Sequence, residues 1–416
     1  MEKISNYLVK GAFTGFIIWL LLPAIQTTLG ALGGIVFTIL FALGVILDAQ
    51  FIKKNGIKFA LAVIFVAIMP VLFYKFMGKG GTNFIGYYVQ QGLFFVPFLY
   101  AYYSYCKKNT FFTKQIKLVF LIALTITLLT SIYWLVEGML RDGPIYAYAR
   151  SLGYAGEGRE AYLKELMLRN IGGYGMVYMN VMLLPITFYS LQVNKGKIKL
   201  AAIILFVLQI VYIFLAQYTY AMVYTLFLLV MWFFAKIIYK CSRKKLSYGY
   251  CQIISLVILI SLVFVKDILL SFAIYVSDML TMSNISFSLN SLNEALKGTL
   301  ITENTRLIAY QTSIQGITQS PWLGSLINSN FQLGLHSDVL DAISAFGIIG
   351  SLVLYVLFKL LFLNNKKTLP KSSIVYYRTH LVVFIVIATL GTILYSNEIA
   401  IALVFAPVLL QGTRKA

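Results

Sequence analysis

Twelve apolar stretches alternate with short polar connections, and the lysines fall almost entirely in every second connection. Each stretch runs about 17–25 residues, the length a helix needs to cross about 30 Å of hydrocarbon. Inside lipid the backbone must satisfy its own hydrogen bonds, so such stretches are helices. The expected spans are 11–29, 31–50, 58–74, 84–105, 117–138, 172–193, 200–219, 220–240, 252–275, 338–362, 380–397 and 398–413. A very tight turn at Ser396-Asn397-Glu398 joins the last two, and Pro70, Pro97, Pro185 and Pro407 are candidate kinks. Composition agrees: 60% of the 416 residues are hydrophobic and 12% charged, against about 45–50% and 25% in soluble domains. The fold class is therefore an all-α polytopic integral membrane protein, a single membrane domain over residues 1–416 with no soluble domain interrupting it.

Charge sets the expected orientation. Connections holding Lys53, Lys54, Lys114, Lys197, Arg243, Lys244 and Lys371 carry most of the 34 lysines and arginines. The other set holds only nine: Lys75, Lys79, Arg141, Arg150, Arg159, Lys164, Arg169, Lys297 and Arg306. The positive-inside rule then places both termini in the cytoplasm. The net charge of +20 is thereby assigned to membrane lipids, whose anionic headgroups attract basic residues beside spans. Nucleic-acid binding would need basic residues clustered on a folded surface, so no nucleic-acid partner is expected. Cys106, Cys241 and Cys251 all lie at lysine-rich span ends, which disfavours a structural disulfide, and no metal-ligand spacing exists among the cysteines and histidines.

Two connections on the lysine-poor side are long, about 139–171 and 276–337. The first holds Arg141, Arg150, Arg159 and Arg169 on the side the charge rule depletes. Guanidinium groups grip phosphates through planar, bidentate hydrogen bonds, and tyrosines offer flat faces and hydroxyls to sugars. The plainer reading is a solvated amphipathic helix over 157–169, with Glu160/Lys164 and Glu165/Arg169 paired at i,i+4. In the second connection a helix is expected over 304–317, with Arg306 near its start and Leu307, Tyr310, Ile314 and Ile317 on one apolar stripe. His336 follows at the start of the tenth span, where the helix dipole favours a neutral, proton-accepting ring. Asp338 or Asp341 could hold that ring, or simply compensate the helix N-terminus. Gly347 and Gly350 read as sites of close helix approach.

Arg306, Ser320-Pro321-Trp322-Leu323-Gly324, and His336-Ser337 followed by nine residues and then Gly347-Ile348-Ile349-Gly350 resemble motifs of the bacterial O-antigen polymerase and O-antigen ligase superfamily. Twelve spans with two long outer loops extend the resemblance over nearly the whole chain. It implies a GT-C-like, metal-independent glycosyltransferase with no cofactor, acting on an undecaprenyl-diphosphate-linked oligosaccharide at the outer face of the bacterial cytoplasmic (inner) membrane. By the same resemblance Arg306 binds the diphosphate and His336 activates the acceptor hydroxyl, with flippase and chain-length regulator proteins as partners. One departure stands out. The turn between the seventh and eighth spans, where members often carry an arginine, reads Ala216-Gln217-Tyr218-Thr219-Tyr220. Arg150, Arg159 or Arg169 is the expected substitute. The favoured activity is polymerisation of lipid-linked repeat units in O-antigen, capsular or exopolysaccharide synthesis. The alternatives are ligation of finished glycan to lipid A core, or a flippase for lipid-linked oligosaccharide.

Overall fold

The computed structural model describes residues 2–76, 84–107, 110–142, 152, 160–242, 248–261, 275, 305–324, 333–362, 369–393 and 396–411. Among them there is no strand. The helices are α1 (Glu2–Leu21), α2 (Pro23–Ile46), α3 (Ala49–Phe76), α4 (Phe84–Lys107), α5 (Thr110–Asp142), α6 (Glu160–Leu168), α7 (Tyr174–Val193), α8 (Gly196–Leu215), α9 (Thr219–Cys241), α10 (Tyr248–Ser261), α11 (Thr305–Gln319), α12 (Asp338–Phe362), α13 (Ile374–Leu390) and α14 (Asn397–Gln411). Eight of these, α1, α2, α3, α5, α7, α8, α9 and α12, are long and apolar enough to cross a membrane, and α13 and α14 are apolar but shorter. The chain is an all-α multi-pass membrane protein.

The centre of the bundle is α7. Its most apolar stretch is 72% buried, whereas α8 and α12 bury 22% of theirs and turn the rest outward. A helix apolar on every side belongs inside a bundle or against lipid. Here packing on α8, α13 and α14 gives α7 the inner place. Aromatic rings fill the neighbouring core: Phe13 stacks on Tyr100 at 4.0 Å and Phe120 on Phe405 at 4.5 Å.

Hydrogen bonds sort the connections into two ends. At one end, Ser5 Oγ donates to Gly44 O, Tyr376 Oη to Gln192 Oε1, and Lys107 pairs with Asp48 at 2.6 Å. Asp48 is buried, which opposes ionisation, but Lys107, the Tyr103 hydroxyl and the Phe51 amide outweigh burial and hold its carboxyl below the usual value. At the other end, Thr127 Oγ1 donates to Leu21 O, Tyr212 Oη to Gly172 O, and the Asp338 amide to Gly391 O. This second end, the upper one, carries α6, α11 and His336.

Several expected boundaries shift, each for a local reason. The first span was expected at 11–29, but α1 stops at Leu21. A residue preceding proline is pushed out of the α region; Leu22 has φ −107 and ψ 96, and Pro23 opens α2. Pro70, Pro97, Pro185 and Pro407 sit inside the continuous helices α3, α4, α7 and α14. The breaks fall at glycine instead, at Gly30 (φ 57) in α2 and Gly347 (φ 67) in α12. Trp19 Nε1–H donates to Gly30 O at 3.0 Å and satisfies a carbonyl at the first break.

Helix α11 also departs from expectation in which face it packs. Ala309, Ser313 and Gly316 are its buried positions, while Ile308 and Ile314 are 45% and 48% exposed. Ala309, Ser313 and Gly316 are small, and small residues let a neighbouring segment approach closely.

Candidate functional site

The turn after α11 and the break in α12 form one unit. Ile348 N–H donates to Pro321 O at 2.8 Å and Ile349 N–H to Trp322 O at 3.1 Å. These amides open the second segment of α12 and have no helical acceptor of their own, so the Pro321–Trp322 carbonyls replace the missing turn. Ser351 Oγ reaches back across the break to Ala342 O at 3.2 Å. The two sequence motifs, Ser320–Gly324 and Gly347–Gly350, are thus in direct backbone contact. Gly347 was expected to serve close helix approach; it instead supplies a left-handed residue at a helix break.

His336 lies two residues before α12, on the upper end, with its side chain exposed. Ser337 caps the helix by accepting the Leu340 amide at 3.1 Å. Leu335, on the other side of His336, has φ 59, a conformation that strains any residue with a Cβ. Asp341 holds it there: its buried carboxylate accepts the Leu335 amide and the Ser337 amide, each at 3.3 Å. The same carboxylate accepts a hydrogen bond from Ser313 Oγ of α11, and Ser313 Oγ in turn accepts the Gly334 amide at 3.0 Å. Asp341 therefore orders the backbone on both sides of His336. Asp338 points elsewhere, accepting the Ile393 amide and tying α12 to the chain after α13.

The helix bearing Arg306 meets the histidine segment at close range. Gly334 rests directly on the Ala309 carbonyl, where a Cβ would come within 1.8 Å of the oxygen. Ala309 follows Arg306 by three residues, about 4.5 Å along a helix axis, and Gly334 precedes His336 by two. The Arg306 backbone opens α11, and its side chain lies outside the described residues. Arg150 and Arg159 also lie outside them, as does most of the 276–337 loop.

Arg169 is described, and its guanidinium is engaged locally. It pairs with Glu165 one turn back and lies over the Trp134 ring of α5 at 4.6 Å. The i,i+4 pair matches the plainer reading of this helix. The next residue does more. Asn170 (φ 60) is buried; its carboxamide donates to Thr130 Oγ1 at 2.8 Å and accepts the Ala24 amide at 3.3 Å. Its carbonyl accepts from Ser131 Oγ at 3.2 Å. Asn170 thus pins the end of the first long loop to α5 and to the start of α2.

Sequence reasoning passed over Asn170 and Ser313, which sit in patterns that carry no local signal. It noted Glu398 only as part of a tight turn. In the structure Glu398 accepts a hydrogen bond from Ser396 Oγ at 2.6 Å and sits against Gly175 at the start of α7. Tyr218, from the turn that lacks a cation, contacts Tyr174 and Tyr178 close by. Among the described residues no group of three or more His, Cys, Asp or Glu side chains gathers as a metal site. Comparison with known proteins identifies no relative: no family model, curated protein or solved structure matches this chain.

Proposed function

We propose that this protein is a polymerase of lipid-linked oligosaccharide repeat units, working at the outer face of a bacterial cytoplasmic membrane. In this reading all twelve apolar stretches cross the membrane in a GT-C-like arrangement, both termini are cytoplasmic, and the upper end faces outward. One observation carries it. The Asp341 carboxylate binds both the backbone around His336 and Ser313 of the Arg306-bearing helix. The helix bearing the arginine and the segment bearing the histidine are thereby tied together, with a strained residue beside the histidine.

The chemistry this locus would perform is a displacement at an anomeric carbon. The acceptor sugar hydroxyl forms the new C–O bond while the bond from the anomeric carbon to the diphosphate oxygen breaks. The hydroxyl proton passes to the His336 imidazole, and the electron pair leaves with undecaprenyl diphosphate. Arg306 stabilises the negative charge that develops on the diphosphate, and a neutral imidazole accepts a proton efficiently near neutral pH. Ligation to lipid A core would use the same donor chemistry and differ only in acceptor.

A flippase reading draws on a separate feature, the two helices broken at Gly30 and Gly347, since discontinuous helices line the sites of many transporters. One experiment separates the two. Purified protein in detergent micelles, given lipid-linked repeat units without nucleotide sugar, yields a ladder of lengthened glycans if it is a polymerase. No lengthening, together with transbilayer movement of the same lipid in proteoliposomes, would overturn the polymerase reading.

A further inference from the structure

We infer that Glu398, with Tyr174, Tyr178 and Tyr218, forms a second subsite on the upper end that binds the hydroxyl-bearing sugars of the acceptor glycan. This deepens the proposed function and rests on it for the word acceptor; the sugar-binding chemistry stands on the residues alone.

The three tyrosines come from two separate chain segments and converge. Tyr174 and Tyr178 lie one turn apart on α7 with ring centroids 4.6 Å apart. Tyr218, from the turn between α8 and α9, meets Tyr174 at 5.5 Å and 78°, and Tyr178 at 6.3 Å. Tyr178 is buried and forms the floor, while Tyr174 and Tyr218 are half-buried and form its rim. Such a cluster presents aromatic faces and edges, the surface on which the C–H faces of pyranose rings settle.

Glu398 supplies the polar partner. It is half-buried, packs against Gly175 so tightly that a Cβ there would meet Glu398 Oε2 at 2.6 Å, and lies within electrostatic reach of Tyr212, as Tyr218 does. Among the described residues no lysine or arginine pairs with it. Beside it, Asn397 is 8% exposed and its carboxamide oxygen has no hydrogen-bond partner among the described residues. An ionisable side chain at the end of an apolar helix without a counter-ion is a functional candidate. Its sign selects the ligand. A carboxylate repels a diphosphate but accepts two hydrogen bonds from neighbouring sugar hydroxyls.

Position ties this subsite to His336. A Cβ on Gly391 would stand 2.8 Å from the Tyr174 hydroxyl, and Gly391 O accepts the amide of Asp338, two residues beyond His336. The tyrosine rim therefore borders the histidine segment, on a side where a glycan could extend from one locus to the other.

The test places a photo-crosslinking p-benzoylphenylalanine at position 218 of the full chain, in cells that make the lipid-linked glycan. The control position is Val207, an outward apolar residue of α8. Irradiation is expected to attach glycan, detected by periodate labelling of the purified protein, at 218 and not at 207. Adding Glu398→Gln, which keeps shape and removes charge, should lower the 218 adduct about ten-fold or more, as loss of a charged hydrogen-bond acceptor does. Adduct at 218 no greater than at 207, or equal adduct with and without Glu398→Gln, overturns the inference even if the protein lengthens glycans. Glycan adduct at 218, together with wild-type protein that lengthens nothing, overturns the polymerase reading and leaves the subsite standing.

Discussion

Gly324 and Gly347 face each other so closely that a Cβ built on Gly324 would stand 2.5 Å from the Gly347 amide nitrogen. A Cβ on Gly347 would reach within 2.2 Å of Trp322 O. Both residues have φ near +60°, 57 at Gly324 and 67 at Gly347, so neither the space nor the conformation admits a side chain. This contact holds the loop after α11 on the break in α12.

Gly347→Ala is therefore expected to destabilise the protein by about 3 kcal/mol or more, since it combines left-handed strain with a backbone clash. Gly92→Ala in α4, where a Cβ would meet nothing within 4 Å, should be neutral or stabilising by about 0.5–1 kcal/mol. Thermal unfolding of both variants in detergent, followed by tryptophan fluorescence, makes the comparison. Equal melting temperatures for the two would contradict the interlock.

His336 and Asp341 should separate activity from stability. His336 is exposed, so His336→Ala should leave the melting temperature unchanged while cutting glycan lengthening about 10²–10⁴-fold. Asp341→Ala removes the acceptor for Leu335, Ser337 and Ser313 together, and should cost about 2–4 kcal/mol as well as activity. Hydrogen exchange at residues 333–337 should speed up only in the Asp341 variant. Unaltered exchange there would show that Asp341 does not order the histidine segment.

The buried pair at the opposite end predicts a pH effect. Asp48 has its carboxyl held below the usual value in the folded protein. A group whose folded value is depressed adds stability that is fully present above its unfolded value, near 4 for aspartate, and is lost as pH falls through the folded value. Wild-type protein should thus lose stability on acidification below about pH 4 more steeply than Asp48→Asn. Lys107→Met should cost about 1–3 kcal/mol at neutral pH, because Asp48 keeps Tyr103 and the Phe51 amide but loses its cation. Parallel acid-unfolding curves for wild type and Asp48→Asn would exclude this role.

Orientation has its own check. Single cysteines replacing Lys53 or Lys197, in a background lacking Cys106, Cys241 and Cys251, should resist a membrane-impermeant thiol reagent on intact cells. One replacing Gln311, exposed on α11, should react. The reverse pattern would invert the topology and place His336 in the cytoplasm.

What the sequence determined by itself is the all-helical class and roughly where most of the described helices lie. Apolar length is a local property, and a chain in lipid has no alternative to the helix across such runs. Helix α6 and its Glu165/Arg169 pair were legible for the same reason, since i,i+4 spacing fixes neighbours without tertiary help. The tertiary structure alone decided which glycine breaks a helix, which carboxylate orders the backbone beside His336, and which tyrosines meet one another. Gly347 and Gly350 look alike in sequence, yet only Gly347 has another backbone pressed against it. Asp341 bonds Ser313 across 28 residues, and Asp338 bonds Ile393 across 55. Such partners follow from how helices pack, because a buried polar group must take whatever donor or acceptor the packed neighbour brings to it.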